Sequence, residues 1–132
     1  MKDEQSLLHW ADVVCIGLFN VKKTQMRTFY DTIRNLNFNN KFKFYLGTYK
    51  GKPVASSLLF LSNGVAGIYH VATLPEYRSK GIGKQITLAP LYYAKATGYK
   101  ISTLQATSLG EVIYKKIGFK QYCTLGRYRI TG

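Results

Sequence analysis

Residues 76 to 86, EYRSKGIGKQI, set Gly81 and Gly83 among the cations Arg78, Lys80 and Lys84. Glycine leaves the backbone uncovered, so phosphate oxygens could reach the N–H groups while the cations screen the charge. Two well-known phosphate loops do not fit. A dinucleotide-binding turn needs G-x-G-x-x-G/A and an acid about 20 residues later. Here Ile86 fills the third small position, and STLQAT carries no acid. A P-loop needs G-x-x-x-x-G-K-[ST], and Arg78 and Gln85 break its two ends. The plain alternative is a glycine turn with a wet, basic rim. Elsewhere, Tyr114 offers a phenolic proton, His70 a titratable ring and Ser108 a hydroxyl.

The elements around these residues follow from periodicity. QSLLHWADVVCIGLF (5–19) reads as a helix, although the β-branched VVCI leaves a buried strand open. Met26, Phe29, Tyr30, Ile33 and Leu36 recur at helical spacing and predict a second helix over 22–36. Three β-rich runs follow, FKFYLGTY (42–49), VASSLLFL (54–61) and VAGIYHVATL (65–74), separated by KGKP and SNG. Lys-Gly and Asn-Gly between such runs predict hairpins, hence an antiparallel meander. Ile82, Ile86, Ala89 and Tyr93 mark a helix that stops at Gly98, with Pro90 expected to kink it. KISTLQA (100–106) reads as a strand, so the strand–helix–strand unit implies a parallel pair with a right-handed crossover. Ser108 and Glu111 stand in capping-box positions before a helix that ends at Gly118. FKQYCTLGRYRI is expected to close the chain as a hairpin around Leu125-Gly126. The expected fold is α/β: a mixed, mostly antiparallel twisted sheet with a splayed parallel pair and flanking helices, in one domain spanning 1–132.

RSKGIG resembles the [QR]-x-x-G-x-[GA] signature of the GNAT superfamily of N-acetyltransferases. IYHVATLPEYR resembles that family's preceding strand, and TSLGEVIYKKIGF its second half, with the tyrosine and the Gly-Phe in matching places. The resemblance covers roughly residues 42 to 131. It implies acetyl-CoA as co-substrate, with the backbone of Arg78, Ser79, Lys80, Gly81, Ile82, Gly83 and Lys84 cradling the pyrophosphate. Lys80, Lys84 and Arg78 would add screening charge. Val71, Ala72 and Thr73 would pair with the pantetheine arm where the parallel strands splay. Gly67 could mark a bulge or only ease packing.

The resemblance also implies a reaction. An amine attacks the thioester directly, the Val71 amide polarises the carbonyl, and Tyr114 is the general acid. A phenol of pKa near 10 can protonate a departing thiolate whose conjugate acid is near 8.5. Gly110, four residues before Tyr114, would leave room for the pantetheine chain. The plain alternative is a Tyr114 that only packs against Ile117 and Phe119. Ser108 would touch the cofactor or act purely as a cap. Of the six carboxylates, Asp3, Glu4, Asp12, Asp31, Glu76 and Glu111, none is assigned as general base. His70 reads either as that base or as a core histidine satisfied by hydrogen bonds. GNAT domains usually place a strand before their first two helices, whereas here the helices come first.

The balance of 19 Lys and Arg against 6 Asp and Glu gives a net charge of +13, which attracts polyanions. The cations are scattered and match no nucleic-acid motif, so a nucleic-acid binder is disfavoured, except that a tRNA-linked amine would reconcile charge with catalysis. The expected acceptor is otherwise a small-molecule or peptide amine. The rival from another class is a non-catalytic acyl-CoA-binding module. Cys15 and Cys123 lie far apart, match no metal spacing and read as reduced core residues, so no metal is expected. Apolar runs are too short to span a bilayer and no leader opens the chain, which implies a cytoplasmic protein. A strand at 42–49 without an outer neighbour predicts a covered edge, by the N-terminal segment or by a second copy in a homodimer.

Overall fold

The computed structural model describes residues 4–19, 23–36, 40–106 and 108–121. The three β-rich runs form β1 (Phe42–Tyr49), β2 (Lys52–Ser62) and β3 (Val65–Thr73). Lys50-Gly51 and Asn63-Gly64 join them with φ of 52° and 79°, then 52° and 77°. Positive φ at both central residues is the hairpin turn that Lys-Gly and Asn-Gly favour, so the meander follows from the turns. Ile101–Leu104 is β4, parallel to β3, and the sheet order is β1-β2-β3-β4. The hairpin expected around Leu125-Gly126 and Cys123 lie outside the described residues.

The helices cover both faces. α1 (Glu4–Val14) presents Leu7, Trp10, Ala11 and Val14 to the sheet, a stripe at i, i+3, i+4 and i+7. The strand reading of VVCI does not hold, since the segment continues as a π-helix over Cys15–Phe19. α2 (Lys23–Leu36) adds Ile33 and the half-buried Phe29 and Tyr30 to the cluster around Trp10, Phe44 and Leu58. The opposite face carries α3 (Ile82–Ala96), whose Ile86 and Ala94 pack on Val54, Ala55, Leu59 and Ile68. α4 (Ser108–Ile117) follows β4.

Two details of the sheet were not foreseen. In β3, His70 and Val71 together oppose Ser57, because the register moves between Ser56↔Ala72 and Leu58↔Tyr69. His70 has φ 51° there, a conformation that costs a non-glycine residue about 1–3 kcal/mol unless its surroundings hold it. The bulge therefore lies at His70, not at Gly67, which pairs regularly with Phe60 and Thr103. A Cβ on Gly67 would sit 2.8 Å from the Tyr69 ring, so Gly67 serves packing.

The second detail concerns Pro90. α3 runs from Ile82 to Ala96 as one helix through it. Proline has no N–H for the carbonyl four residues back, which is that of Ile86. The buried Ser57 hydroxyl donates to this carbonyl at 2.8 Å. The Ser57 carbonyl in turn accepts the Trp10 Nε1–H at 3.0 Å. One serine, opposite the bulge, thus joins α1, the sheet and α3.

Candidate functional site

The site is built where β3 leaves the sheet and α3 begins. Ladder pairs between β3 and β4 run only from Val65↔Ile101 to Ile68↔Leu104. Past Ile68 the β3 backbone has no β4 partner, so Val71, Ala72 and Thr73 border an opening between the parallel strands. Among them Ala72 is buried, while Val71 and Thr73 are half-buried. Val71 packs on the α3 face beside Ile68 and Leu91.

Pro75–Tyr77 forms a short 3-10 turn, and the chain then reverses through Ser79 with φ 63° and Gly81 with φ 81°. Gly81 is the N-cap of α3, and the first hydrogen bond into the helix runs from the Gln85 amide to the Gly81 carbonyl, 3.2 Å. The amides of Ile82, Gly83 and Lys84 therefore precede the helical ladder and point outward. A Cβ on Gly81 would meet nothing within 4 Å, and one on Gly83 would press on Ile113 of α4 at 3.3 Å. The first turn holds Lys84 and no acid, which conflicts with the helix dipole. An anion bound at the N-terminus removes that conflict. Ser79, Lys80 and Lys84 are exposed around it.

Arg78, expected as a screening cation, also has a structural role. Its Nη2 donates to the Gly17 carbonyl at 2.8 Å and its Nε to the Thr73 carbonyl at 3.1 Å. The side chain ties the loop to the π-helix and to the end of β3. Gly17 permits the approach, since a Cβ there would lie 3.1 Å from the Thr73 oxygen.

Tyr114 is 8% exposed, and burial raises its pKa above the ordinary phenol value. The hydroxyl is thus held protonated at neutral pH, the state a proton donor needs. Its ring meets Phe119 at 6.4 Å, edge-on, so the packing role expected of it is present as well. The space at Gly110 is taken by this ring: a Cβ would lie 2.8 Å from Cε2 and 3.1 Å from the hydroxyl oxygen. That corrects the expectation of room for pantetheine. Ser108 opens α4, but its side chain lies outside the described residues. Glu111 is engaged by Lys115 at 2.7 Å.

His70 sits on the opposite face of β3 from α3, edge-on to Trp10 at 5.9 Å and to Phe29 at 5.8 Å. Burial lowers its pKa, so the ring is neutral at pH 7. Its carbonyl accepts the Ser56 hydroxyl at 2.9 Å, which helps to hold the bulge. Among the described residues no cluster of three or more His, Cys, Asp or Glu could hold a metal, and no helix is long and apolar enough to cross a membrane. A cleft of about 490 Å³ lined by Leu91, Lys95, Tyr99 and Ile101 lies at the C-terminal end of α3. By helix rise its nearest lining residue, Leu91, is about 14 Å along α3 from the loop, so the cleft is separate from this site.

The sequence pattern of the loop and Tyr114 was readable. Ser57, Arg78's clamp and the bulge at His70 were not, although a proline inside a helix is a signal to look for a donor to the carbonyl four residues back.

A mixed sheet whose parallel strands part beside a glycine-capped helix N-terminus defines an acyl-CoA-dependent transferase fold. A family model described as acetyltransferase (GNAT) domain matches residues 40–121, and the chain belongs to that family of acetyl-CoA-dependent acyltransferases. No curated protein matches it in sequence. Solved structures match in fold. A protein from Clostridium acetobutylicum, described as a predicted acetyltransferase and solved with acetyl-CoA, has TM-score 0.78 and 16% identity, over 96% of this chain and 92% of that one. Glucosamine-6-phosphate N-acetyltransferase from Arabidopsis thaliana has TM-score 0.72 and 14% identity, over 96% and 93%. AAC(6')-Iy with the bisubstrate analogue CoA-S-monomethyl-acetylneamine has TM-score 0.72 and 14% identity, over 97% and 93%.

Proposed function

We propose that the chain transfers an acetyl group from acetyl-CoA to a primary amine by direct attack, in the cytoplasm. The observation that carries this reading is the coincidence of two features. The anion-ready start of α3 adjoins the opening that β3 and β4 leave beyond Ile68. The amides of residues 78–84 receive the pyrophosphate, with Lys80 and Lys84 adding charge. The backbone of Val71, Ala72 and Thr73 lines the pantetheine arm, and the Val71 amide hydrogen-bonds the thioester carbonyl. The neutral amine nitrogen attacks that carbon, the C–S bond breaks and the thiolate takes the Tyr114 proton, while the proton that the nitrogen sheds leaves through water and restores the phenol. Ser108 stands at the start of α4 as a further cofactor contact.

The acceptor is a small-molecule or peptide amine, in line with relatives of this fold named for glucosamine-6-phosphate and for an acetylneamine analogue. An amine panel with acetyl-CoA and a free-thiol readout tests the reading. Amine-dependent thiol release supports it; CoA binding without release from any amine leaves a non-catalytic binder. The reading includes a two-fold dimer, since β1 forms the outer edge of the described sheet. Light scattering at micromolar concentration is expected to give twice the chain mass. A monomer whose residues 42–49 exchange freely with solvent contradicts it.

A further inference from the structure

Beside the loop lies a surface that shares only Lys80 with the contacts proposed for the pyrophosphate and pantetheine. Tyr49, the last residue of β1, and Tyr77, in the 3-10 turn, have ring centroids 5.8 Å apart at 57°. The Lys80 ammonium sits 5.6 Å from the Tyr49 centroid and 5.8 Å from that of Tyr77. Lys50 approaches the Tyr49 ring as well, at 5.5 Å. Tyr49 is 39% exposed, while Tyr77 packs inward on the cluster of Val54, Ala55 and Ile86. The platform is thus anchored on one side and open on the other. Among the described residues neither ammonium has a carboxylate within ion-pair distance; the ion pairs present are Arg34–Glu4 and Lys115–Glu111. The nearest acid in sequence is the exposed Glu76.

An aromatic face flanked by unpaired ammonium groups suits a base that stacks and a phosphate that pairs. In CoA the adenosine, which carries a 3′-phosphate, is joined directly to the pyrophosphate. Lys80 belongs both to the loop and to the platform, so a ligand held by the loop places its adenosine within reach of these rings. We infer that Tyr49 and Tyr77 with Lys50 and Lys80 form the subsite for the adenosine 3′-phosphate end of CoA. This rests on the proposed acetyl-CoA reading and adds to it a discrimination between CoA and its 3′-dephospho form.

Calorimetry of CoA, 3′-dephospho-CoA and 4′-phosphopantetheine against wild type, Tyr49→Ala, Tyr49→Phe and Lys50→Gln tests the subsite. Tyr49→Ala is expected to weaken CoA at least about fivefold, the lower end of base stacking on an aromatic ring. Binding of 4′-phosphopantetheine, which has no adenosine, should not change, and Tyr49→Phe should keep CoA near wild type. Lys50→Gln should weaken CoA by more than it weakens 3′-dephospho-CoA. Unchanged CoA binding in both Tyr49→Ala and Lys50→Gln overturns the subsite. So does an equal loss of CoA and 4′-phosphopantetheine, which reports a disturbed loop. Wild type that binds neither overturns the acetyl-CoA reading itself.

Discussion

The starts of α3 and α4 both carry a glycine, for opposite reasons. At Gly81 the backbone is left-handed, φ 81°, and a Cβ would meet nothing within 4 Å. The space beyond it belongs to solvent or to a ligand. At Gly110 a Cβ would collide with the Tyr114 ring at 2.8 Å, so that space belongs to the chain's own side chain. Gly67 repeats the second case with Tyr69. A glycine in a motif therefore marks a ligand approach only where no neighbouring side chain already claims the room. The site proposed at the start of α3 is made of backbone, and the group proposed on α4 is a buried phenol.

The two regions should then fail differently. Tyr114→Phe keeps the ring that fills the Gly110 space and removes only the hydroxyl. Turnover is expected to fall about 10²-fold or more, the scale of general acid catalysis, with CoA affinity unchanged. Turnover within a factor of two of wild type would make Tyr114 a packing residue only. Arg78→Gln probes the α3 side without touching the outward amides. It removes two hydrogen bonds from an exposed guanidinium, worth about 1–2 kcal/mol together. The melting temperature should fall while the salt dependence of CoA binding stays as in wild type. A flattened salt dependence would instead place the Arg78 charge on the phosphate.

The smallest effect lies on β3 between these regions. Burial depresses the folded-state pKa of His70 below its unfolded value of about 6.5. The unfolded chain then binds the extra proton first, so this contribution to stability is present above pH 6.5 and lost as pH falls through the folded value. Melting followed from pH 7.5 to 5 should show His70→Gln losing part of the wild-type acid destabilisation. Parallel curves for the two proteins would contradict a buried neutral ring.

How much of this was legible divides along the same line. The meander followed from Lys50-Gly51 and Asn63-Gly64, and the loop from Gly81 and Gly83, because backbone conformation selects residue type locally. The β1, α3 and α4 spans were accordingly read to within a residue or two. What was missed depends on residues far apart in sequence. Trp10 reaches the Ser57 carbonyl across 47 positions and Arg78 the Gly17 carbonyl across 61. No local pattern records such pairs. The Ser57 hydroxyl that serves the carbonyl opposite Pro90 was not read because it comes from another element, and Gly110 was misassigned because its occupant is a rotamer rather than a spacing.

The central claim is that bare backbone at Gly81 receives the phosphates of CoA. Titration calorimetry of CoA into wild type, Gly81→Val and Gly81→Asn measures it directly, the asparagine tolerating the left-handed backbone and so separating approach from strain. Wild type is predicted to bind in the micromolar range and more weakly as salt rises. Both variants are predicted to bind at least about tenfold more weakly, a difference of about 1.4 kcal/mol. CoA affinity equal to wild type in both variants would remove this loop from the site.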